Sequence, residues 1–241
     1  MHYFKRLIWI GLTALLFQSC GSTFLYHTPM PDTYIYQGQG EVQGSGSVGV
    51  SGVALSGGYA LKDNFALGGR LQATPWLANG ALIEVDASYF ADGWFMATAG
   101  VGYGHFRSEE DTINYNFALR GDLYRPFVQV LFQTRRYSSF FGLESTRTIG
   151  LKTSYAYYDG AYGFPFPVRV QHGRVLFEPV VSTTTGSEKF RLELTMSAPL
   201  YEGVFRRNNI RDQAYPFPFN VSVGFRIMLF YGQNSRFNSI P

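Results

Sequence analysis

The sequence predicts an all-β protein, a single antiparallel up-and-down β-barrel of the transmembrane type with 8 or 10 strands. Three observations support this prediction. Charged residues make up only 15% of the 241 residues, against roughly 25% in ordinary soluble proteins. Aromatic residues reach 17% and there are 27 glycines, a composition that disfavours helical bundles. Apolar and polar residues alternate with a period of two through much of the chain, as in strands with two different faces.

The composition also excludes several classes of protein. A single Cys excludes a disulfide scaffold, and the many aromatic residues exclude a disordered chain. The mean hydropathy of −0.06 is too polar for a bundle of membrane-spanning helices. The net charge of +3 falls to about +1 if Lys5 and Arg6 are removed with a leader, so we expect no nucleic-acid partner.

Residues 1–19 have the features of an export signal. Lys5 and Arg6 precede an apolar run over residues 7–17, which is too short to span a bilayer comfortably. Residues 15–21, LLFQSCG, resemble a bacterial lipobox, although Phe17 and Gln18 differ from its usual residues. The resemblance implies that Cys20, the only Cys, becomes the lipidated first residue of the mature chain. The alternative is a plain secretory signal in which the Cys is incidental.

The remaining chain divides into three parts. Residues 20–40 contain Pro29 and Pro31 and are predicted to form an extended linker from the lipidated Cys20. Residues 41–231 are predicted to form the barrel, and residues 232–241 a C-terminal tail. Eight windows alternate clearly, while the Gly-rich stretch 41–61 is either one long strand or two short ones. The eight windows are 65–72, 81–89, 95–103, 128–135, 148–157, 175–182, 191–200 and 220–231.

Charged residues in these windows all lie on the face opposite the apolar set. They are Arg70, Glu84, Asp86, Arg135, Lys152, Glu178, Arg191, Glu193 and Arg226. A charge on a lipid-facing position at the bilayer midplane would cost about 2–4 kcal/mol, so this distribution is expected if the apolar face meets hydrocarbon. We predict that the nine residues form a network of ion pairs that plugs the lumen, because a charge buried without a partner is costly.

The connections are of two kinds, short turns and longer polar segments. Short turns are predicted at 62–64, 79–80, 92–93 and 186–188, and long loops at 107–113, 159–173 and 201–217. Such alternation is typical of a barrel with one plain and one elaborated end. The long loops are the expected contact surface for any protein or glycan partner.

Short motifs extend along most of residues 38–231. In order they are GEVQ at 40–43, GYAL at 58–61, DNFA at 63–66, GVGYG at 100–104, PFVQ at 126–129, FEP at 177–179 and NVSVGF at 220–225. In this order the chain resembles small outer-membrane β-barrel lipoproteins of Bacteroidetes-type bacteria. The resemblance implies a lipid-anchored protein of the bacterial outer membrane, in contact with outer-membrane lipid. It implies no assigned chemistry.

The sequence offers little sign of catalysis. None of the three histidines outside the predicted signal, His27, His105 and His172, has a second ligand at metal spacing. We therefore predict no catalytic residues, no metal site and no cofactor, and we predict that the protein is not an enzyme. The glycines of 100–104 are attributed to close strand approach or to space for large lumen neighbours rather than to phosphate binding.

Two functions remain open at the level of sequence. The first is a monomeric, porin-like outer-membrane barrel with a structural, binding or narrow-transport role, its lumen plugged by charged side chains. The alternative is a soluble periplasmic or surface lipoprotein, a lipocalin-like barrel that binds an apolar ligand. In the alternative the apolar face points inward and the charges point outward.

Overall fold

The chain forms a closed, ten-stranded, antiparallel up-and-down β-barrel. The computed structural model describes residues 24–26, 31–74, 79–91, 93–112, 115–137, 144–162, 168–187, 189–201, 215–216 and 220–230. The strands are β1 Val42–Gly49, β2 Gly52–Lys62, β3 Phe65–Thr74, β4 Asn79–Ala91, β5 Phe95–Thr112, β6 Tyr115–Tyr137, β7 Glu144–Tyr162, β8 Val168–Gly186, β9 Phe190–Ser197 and β10 Asn220–Phe230. No helix among the described residues has the length and apolar content that a membrane span requires.

Each strand pairs with the next, and the pairing of β10 with β1 closes the barrel. The ambiguous Gly-rich stretch forms two strands, β1 and β2, which resolves the predicted count to ten. They are joined by a tight turn in which Gly52 adopts a φ of 118°, a conformation that favours glycine. Three short strands lie outside this set: Leu200–Tyr201 pairs with β8, and Phe24–Tyr26 pairs in parallel with Tyr215–Pro216.

The two ends of the barrel differ. At one end, here called the short-turn end, lie the turns that join β2 to β3, β4 to β5, and β8 to β9, together with the start of β1 and the end of β10. The opposite end, here called the long-hairpin end, carries two tall hairpins. In the first, β5 and β6 remain paired until only residues 113–114 separate them. In the second, β7 and β8 remain paired until only residues 163–167 separate them.

The prediction of loops at 107–113 and 159–173 is therefore wrong, since most residues of each segment belong to strands. The described exposed residues there include Arg107, Arg169 and Gln171, so these segments lack the apolar outer face by which the other strands were recognised. Asn79 and Gly80 likewise belong to β4 rather than to a turn. Most of the predicted loop at 201–217 lies outside the described residues.

The outer face of the wall is apolar, as the sequence predicts, while the inner face carries the polar and charged side chains together with buried apolar ones. Val128 in β6 is 55% exposed and Leu71 in β3 is 53% exposed, whereas Lys152 in β7 is only 1% exposed. Successive residues of a strand point to opposite faces, so one apolar surface encircles the barrel while the charges face the lumen.

Exposed aromatic side chains form two rows on the outer surface. Near the short-turn end Trp94 stacks on Phe132, with ring centroids 6.2 Å apart. Near the other end Tyr103 and Tyr124 lie 5.3 Å apart, and Tyr124 and Tyr157 lie 6.4 Å apart. A predominantly apolar band therefore lies between two aromatic rows.

Part of the segment predicted to be a linker lies inside the barrel. Residues 32–37, here called the lumen segment, have no regular secondary structure, and Thr33, Tyr34, Ile35 and Tyr36 are each at most 4% exposed. A barrel of eight strands is just filled by its own side chains, and one of ten is wider. In this barrel the chain itself occupies part of the lumen.

Candidate functional site: the lumen ion-pair network

Small residues on the inner face create the space in which large lumen side chains pack. A Cβ atom on Gly100 would lie 2.8 Å from the Cβ of Asp86, and one on Gly102 would lie 3.1 Å from the Cγ of Glu84. These contacts agree with the prediction that the glycines of 100–104 leave room for lumen neighbours. Glycine in β5 thus lets the acidic residues of β4 lie flat against the wall.

Four wall residues form the inner ion-pair cluster. The Nζ of Lys152 donates to both carboxylate oxygens of Glu84, at 2.9 and 3.1 Å. Arg125 donates to the Glu178 carboxylate and lies 4.0 Å from that of Glu84. All four side chains are at most 3% exposed. Two cations and two anions thus balance each other where water is excluded, which is the condition under which buried charges are tolerated.

A second cluster is organised by Asp32 of the lumen segment. Its carboxylate oxygens lie 3.7 Å from Arg70 and 3.8 Å from Arg226, and it accepts a hydrogen bond of 3.0 Å from Ser56. The guanidinium of Arg226 also donates to Glu193 at 2.6 Å. Because Asp32 faces two arginines from β3 and β10, the lumen segment is tied electrostatically to two sides of the wall.

Most of the predicted lumen charges are brought together here. Seven of them belong to the two clusters or border the small cavity between them: Arg70, Glu84, Asp86, Lys152, Glu178, Glu193 and Arg226. Arg191 lies apart, near the short-turn end, where it donates to the carbonyl of Ser187. Arg135 lies in β6 opposite Thr146, and its side chain is outside the described residues.

Two central members were not identified from the sequence, Arg125 and Asp32. Arg125 has the same strand phase as the inward-facing Gln129, so extending that window backwards would have identified it. Pro126 obscured the strand because proline cannot donate to a ladder, and indeed the pairing of β6 with β7 skips Arg125 and Pro126. No local signal marks Asp32, since it lies in a stretch without alternation.

The remainder of the lumen segment plugs the short-turn end with apolar rings. Tyr36 packs 5.5 Å from the ring of Phe90 and 5.2 Å from that of Tyr34, while the Arg226 guanidinium lies 4.6 Å above Tyr34. The same rings belong to one hydrophobic cluster with apolar residues from seven strands of the wall, namely Ala60, Ala66, Phe90, Met96, Leu131, Val180 and the partly buried Met228.

Gly58 in β2 is matched to the hydroxyl group of Tyr36. A Cβ atom on Gly58 would collide with that hydroxyl, so we expect Gly58→Ala to lower the free energy of unfolding by about 1–3 kcal/mol through overpacking. Denaturant unfolding of the purified barrel measures this cost. The cost should shrink in a Tyr36→Phe background, where the colliding hydroxyl is missing. Equal costs in the two backgrounds would contradict docking of Tyr36 against Gly58.

Little empty space is left between the two clusters. A cavity of about 20 Å³, lined by Asp32, Arg70, Glu84, Asp86 and Lys152 among others, has room for about one water molecule.

Glu41 fastens the lumen segment at the short-turn end, just before β1. It accepts a 2.6 Å hydrogen bond from the backbone N–H of Gln37 and is 2% exposed. Burial raises the pKa of Glu41 to about 7, although backbone hydrogen bonds and the nearby arginines Arg226 and Arg191 oppose the rise. This carboxyl group therefore takes up a proton near neutral pH.

The outer face of the tall hairpins carries a second, exposed set of polar residues. The carboxylate of Asp122 contacts Nδ1 of His105 at 2.8 Å and accepts a hydrogen bond of 3.2 Å from the hydroxyl of Tyr103. Within the described hydrogen bonds, no serine joins His105. The described residues also contain no group of three or more His, Cys, Asp or Glu suited to a metal ion.

Next to it, the Arg169 guanidinium makes two hydrogen bonds, of 3.0 and 2.7 Å, with the carboxylate of Asp159, and Gln171 adds a third at 3.1 Å. These hydrogen bonds hold the pKa of the Asp159 carboxyl below its usual range. The outer surface of β5 to β8 thus changes from tyrosines to charged groups as the wall rises.

Comparisons of the chain with protein-family models, with curated proteins and with solved structures find no match.

Proposed function

We propose that the chain is an outer-membrane β-barrel lipoprotein of bacteria with a closed lumen and a structural or binding role. In this proposal the barrel lies in the membrane, Cys20 carries the lipid anchor, and the long-hairpin end is the surface that meets a protein or glycan partner. The observation that carries the proposal is the continuous apolar outer face between two aromatic rows.

The dimensions of this face support a membrane location. Phe95 and Tyr103 bracket it along β5, a separation of about 26 Å at the usual rise of a strand. With the tilt typical of such barrels this corresponds to a height of about 20 Å, close to the apolar band of outer-membrane barrels. A soluble monomer seldom exposes an apolar patch of more than a few hundred Å², so an apolar surface around a whole barrel calls for a lipid environment.

The contents of the lumen favour this proposal over the lipocalin-like alternative. A soluble barrel that holds an apolar ligand needs an apolar cavity inside and a charged surface outside. Here the inner face carries the buried charges of Glu84, Lys152, Arg125 and Glu178, and the cavity beside Glu84 and Lys152 is only about 20 Å³.

Bilayer conductance tests whether the lumen is closed. We expect purified wild-type protein in a planar bilayer to show small or no conductance, because two ion-pair clusters and the lumen segment fill the cross-section. Insertion is verified on the same preparation by protease protection in vesicles. A large, steady conductance would overturn the closed-lumen proposal and indicate a small porin.

Metabolic labelling with a fatty-acid probe tests the anchor. We expect wild-type protein to take up the label and the Cys20→Ala variant to lose it, because the thiol is the acceptor of the lipid. The variant should remain in the membrane fraction, since the apolar outer face is sufficient for retention. Label that persists in Cys20→Ala would exclude this residue as the attachment site.

A further inference from the structure

The lumen segment defines the direction in which the chain runs through the barrel. Gln37 lies at the short-turn end, where its side chain occupies the space that a Cβ atom on Gly93 would fill, and Gly93 belongs to the turn between β4 and β5. Asp32, earlier in the chain, lies at the level of Arg70 and Ser56, which pair with each other midway along β3 and β2. Traced towards the N-terminus, the chain therefore rises from the short-turn end to the middle of the lumen.

The short strand Phe24–Tyr26 marks the other end of this path. Its partner, Tyr215–Pro216, belongs to the connection between β9 and β10. That connection lies at the long-hairpin end, because Val221 near the start of β10 accepts a hydrogen bond from Val50 in the β1–β2 turn. The few residues between Pro216 and Asn220 can reach at most about 14 Å. Phe24–Tyr26 is thus held at the long-hairpin end.

We infer that the chain passes through its own barrel, so that its N-terminal end leaves on the face of the membrane opposite to the end of β10. In an even-stranded up-and-down barrel the first strand begins on the side where the last strand ends, and here both lie at the short-turn end. The lumen segment carries the N-terminus from that side to the other. It makes this crossing where hydrogen-bonding and ionic partners are available, since Gln129 donates to the carbonyl of Asp32 and Thr33 donates to Glu193.

This inference, which rests on the proposed function, also assigns a leaflet to the lipid. Cys20 precedes Phe24 by a stretch that spans at most about 14 Å, which is too short to return across a hydrocarbon core of about 30 Å. The acyl chains on Cys20 therefore lie in the leaflet at the long-hairpin end. In outer-membrane barrels the longer connections face the cell exterior, so this leaflet is the outer one and the N-terminus is displayed on the cell surface.

Epitope accessibility on whole cells tests the inference. Four full-length variants each carry one epitope: between Thr23 and Phe24, after Pro241, within the 163–167 connection, or within the 187–189 turn. The last two mark the long-hairpin and short-turn ends. Antibody binding is compared between intact and permeabilised cells, and each variant is checked for wild-type resistance to denaturant.

We expect the epitope before Phe24 to behave like the one in 163–167 and to be bound on intact cells. The epitope after Pro241 should behave like the one in 187–189 and be bound only after permeabilisation. If the epitope before Phe24 is bound only after permeabilisation, like the 187–189 marker, the inferred path of the chain through the barrel is wrong. The proposal of a membrane barrel would be unaffected by that result. Recovery of the wild-type chain in the soluble fraction would instead overturn the proposed function, and the inference with it.

Discussion

Replacing Glu84 by Ala is expected to lower the free energy of unfolding by about 3–5 kcal/mol, the usual cost of removing one partner of a buried ion pair. Lys152 is 1% exposed and Arg125 is fully buried, so neither cation can reach water when the carboxylate is lost. Glu178 would then be the remaining anion of this four-residue cluster. Urea unfolding of the barrel in detergent micelles or lipid vesicles measures the change.

The matched control is the double variant Glu84→Met with Lys152→Met. It removes one anion and one cation of similar volume and leaves Arg125 paired with Glu178. Replacing a buried pair by apolar side chains is often neutral or stabilising, so most of the lost stability should return. A double variant as unstable as the sum of its single substitutions would contradict mutual compensation of these charges.

Replacing Val128 by Arg is expected to cost about 2–4 kcal/mol of folding free energy in a lipid bilayer. Val128 lies on β6 between Tyr124 and Phe132, which belong to the two aromatic rows, and is 55% exposed on the outer face. It therefore marks the midplane of the proposed membrane-spanning band, where a cation is farthest from water. Urea titration of folding into lipid vesicles gives the cost.

Gln171→Arg is the control for this substitution. Gln171 is also exposed on the outer face, but it lies on the tall hairpin near Asp159, beyond the tyrosine row. An arginine there should change stability by less than about 1 kcal/mol. Equal costs at the two positions would argue that the outer face does not meet hydrocarbon.

Sequence reasoning predicted the parts of the fold that depend on strand periodicity. Ile83 and Glu84 are neighbours in β4, and their assignment to opposite faces required only the period of two and the high cost of a charge in lipid. The same argument placed Lys152 and Arg226 in the lumen. Features that repeat along a strand can be predicted from sequence because the position of each residue in the alternation determines the face on which it lies.

The features that the sequence did not predict depend on contacts between distant segments. Asp32 and Tyr36 lie in a stretch that looks like a linker, and only the assembled wall supplies the arginines and apolar patch that bind them. The tall hairpins were mistaken for loops because their exposed outer residues, such as Arg169 and Gln171, are polar and give no apolar face by which to recognise a strand. Arg125 was overlooked for a smaller reason, since Pro126 interrupts the strand pattern beside it.

The lumen segment also constrains the order in which the barrel can assemble. The rings of Tyr34 and Tyr36 fill the space between opposite sides of the wall, and the cavity left beside them holds no more than about one water molecule. A fully closed wall offers no gap between its strands through which these rings could enter later. We therefore expect the hydrogen bonds between β1 and β10 to form only after the segment is in place. Closure of the barrel would then be the last step of folding, with the enclosed segment setting the circumference.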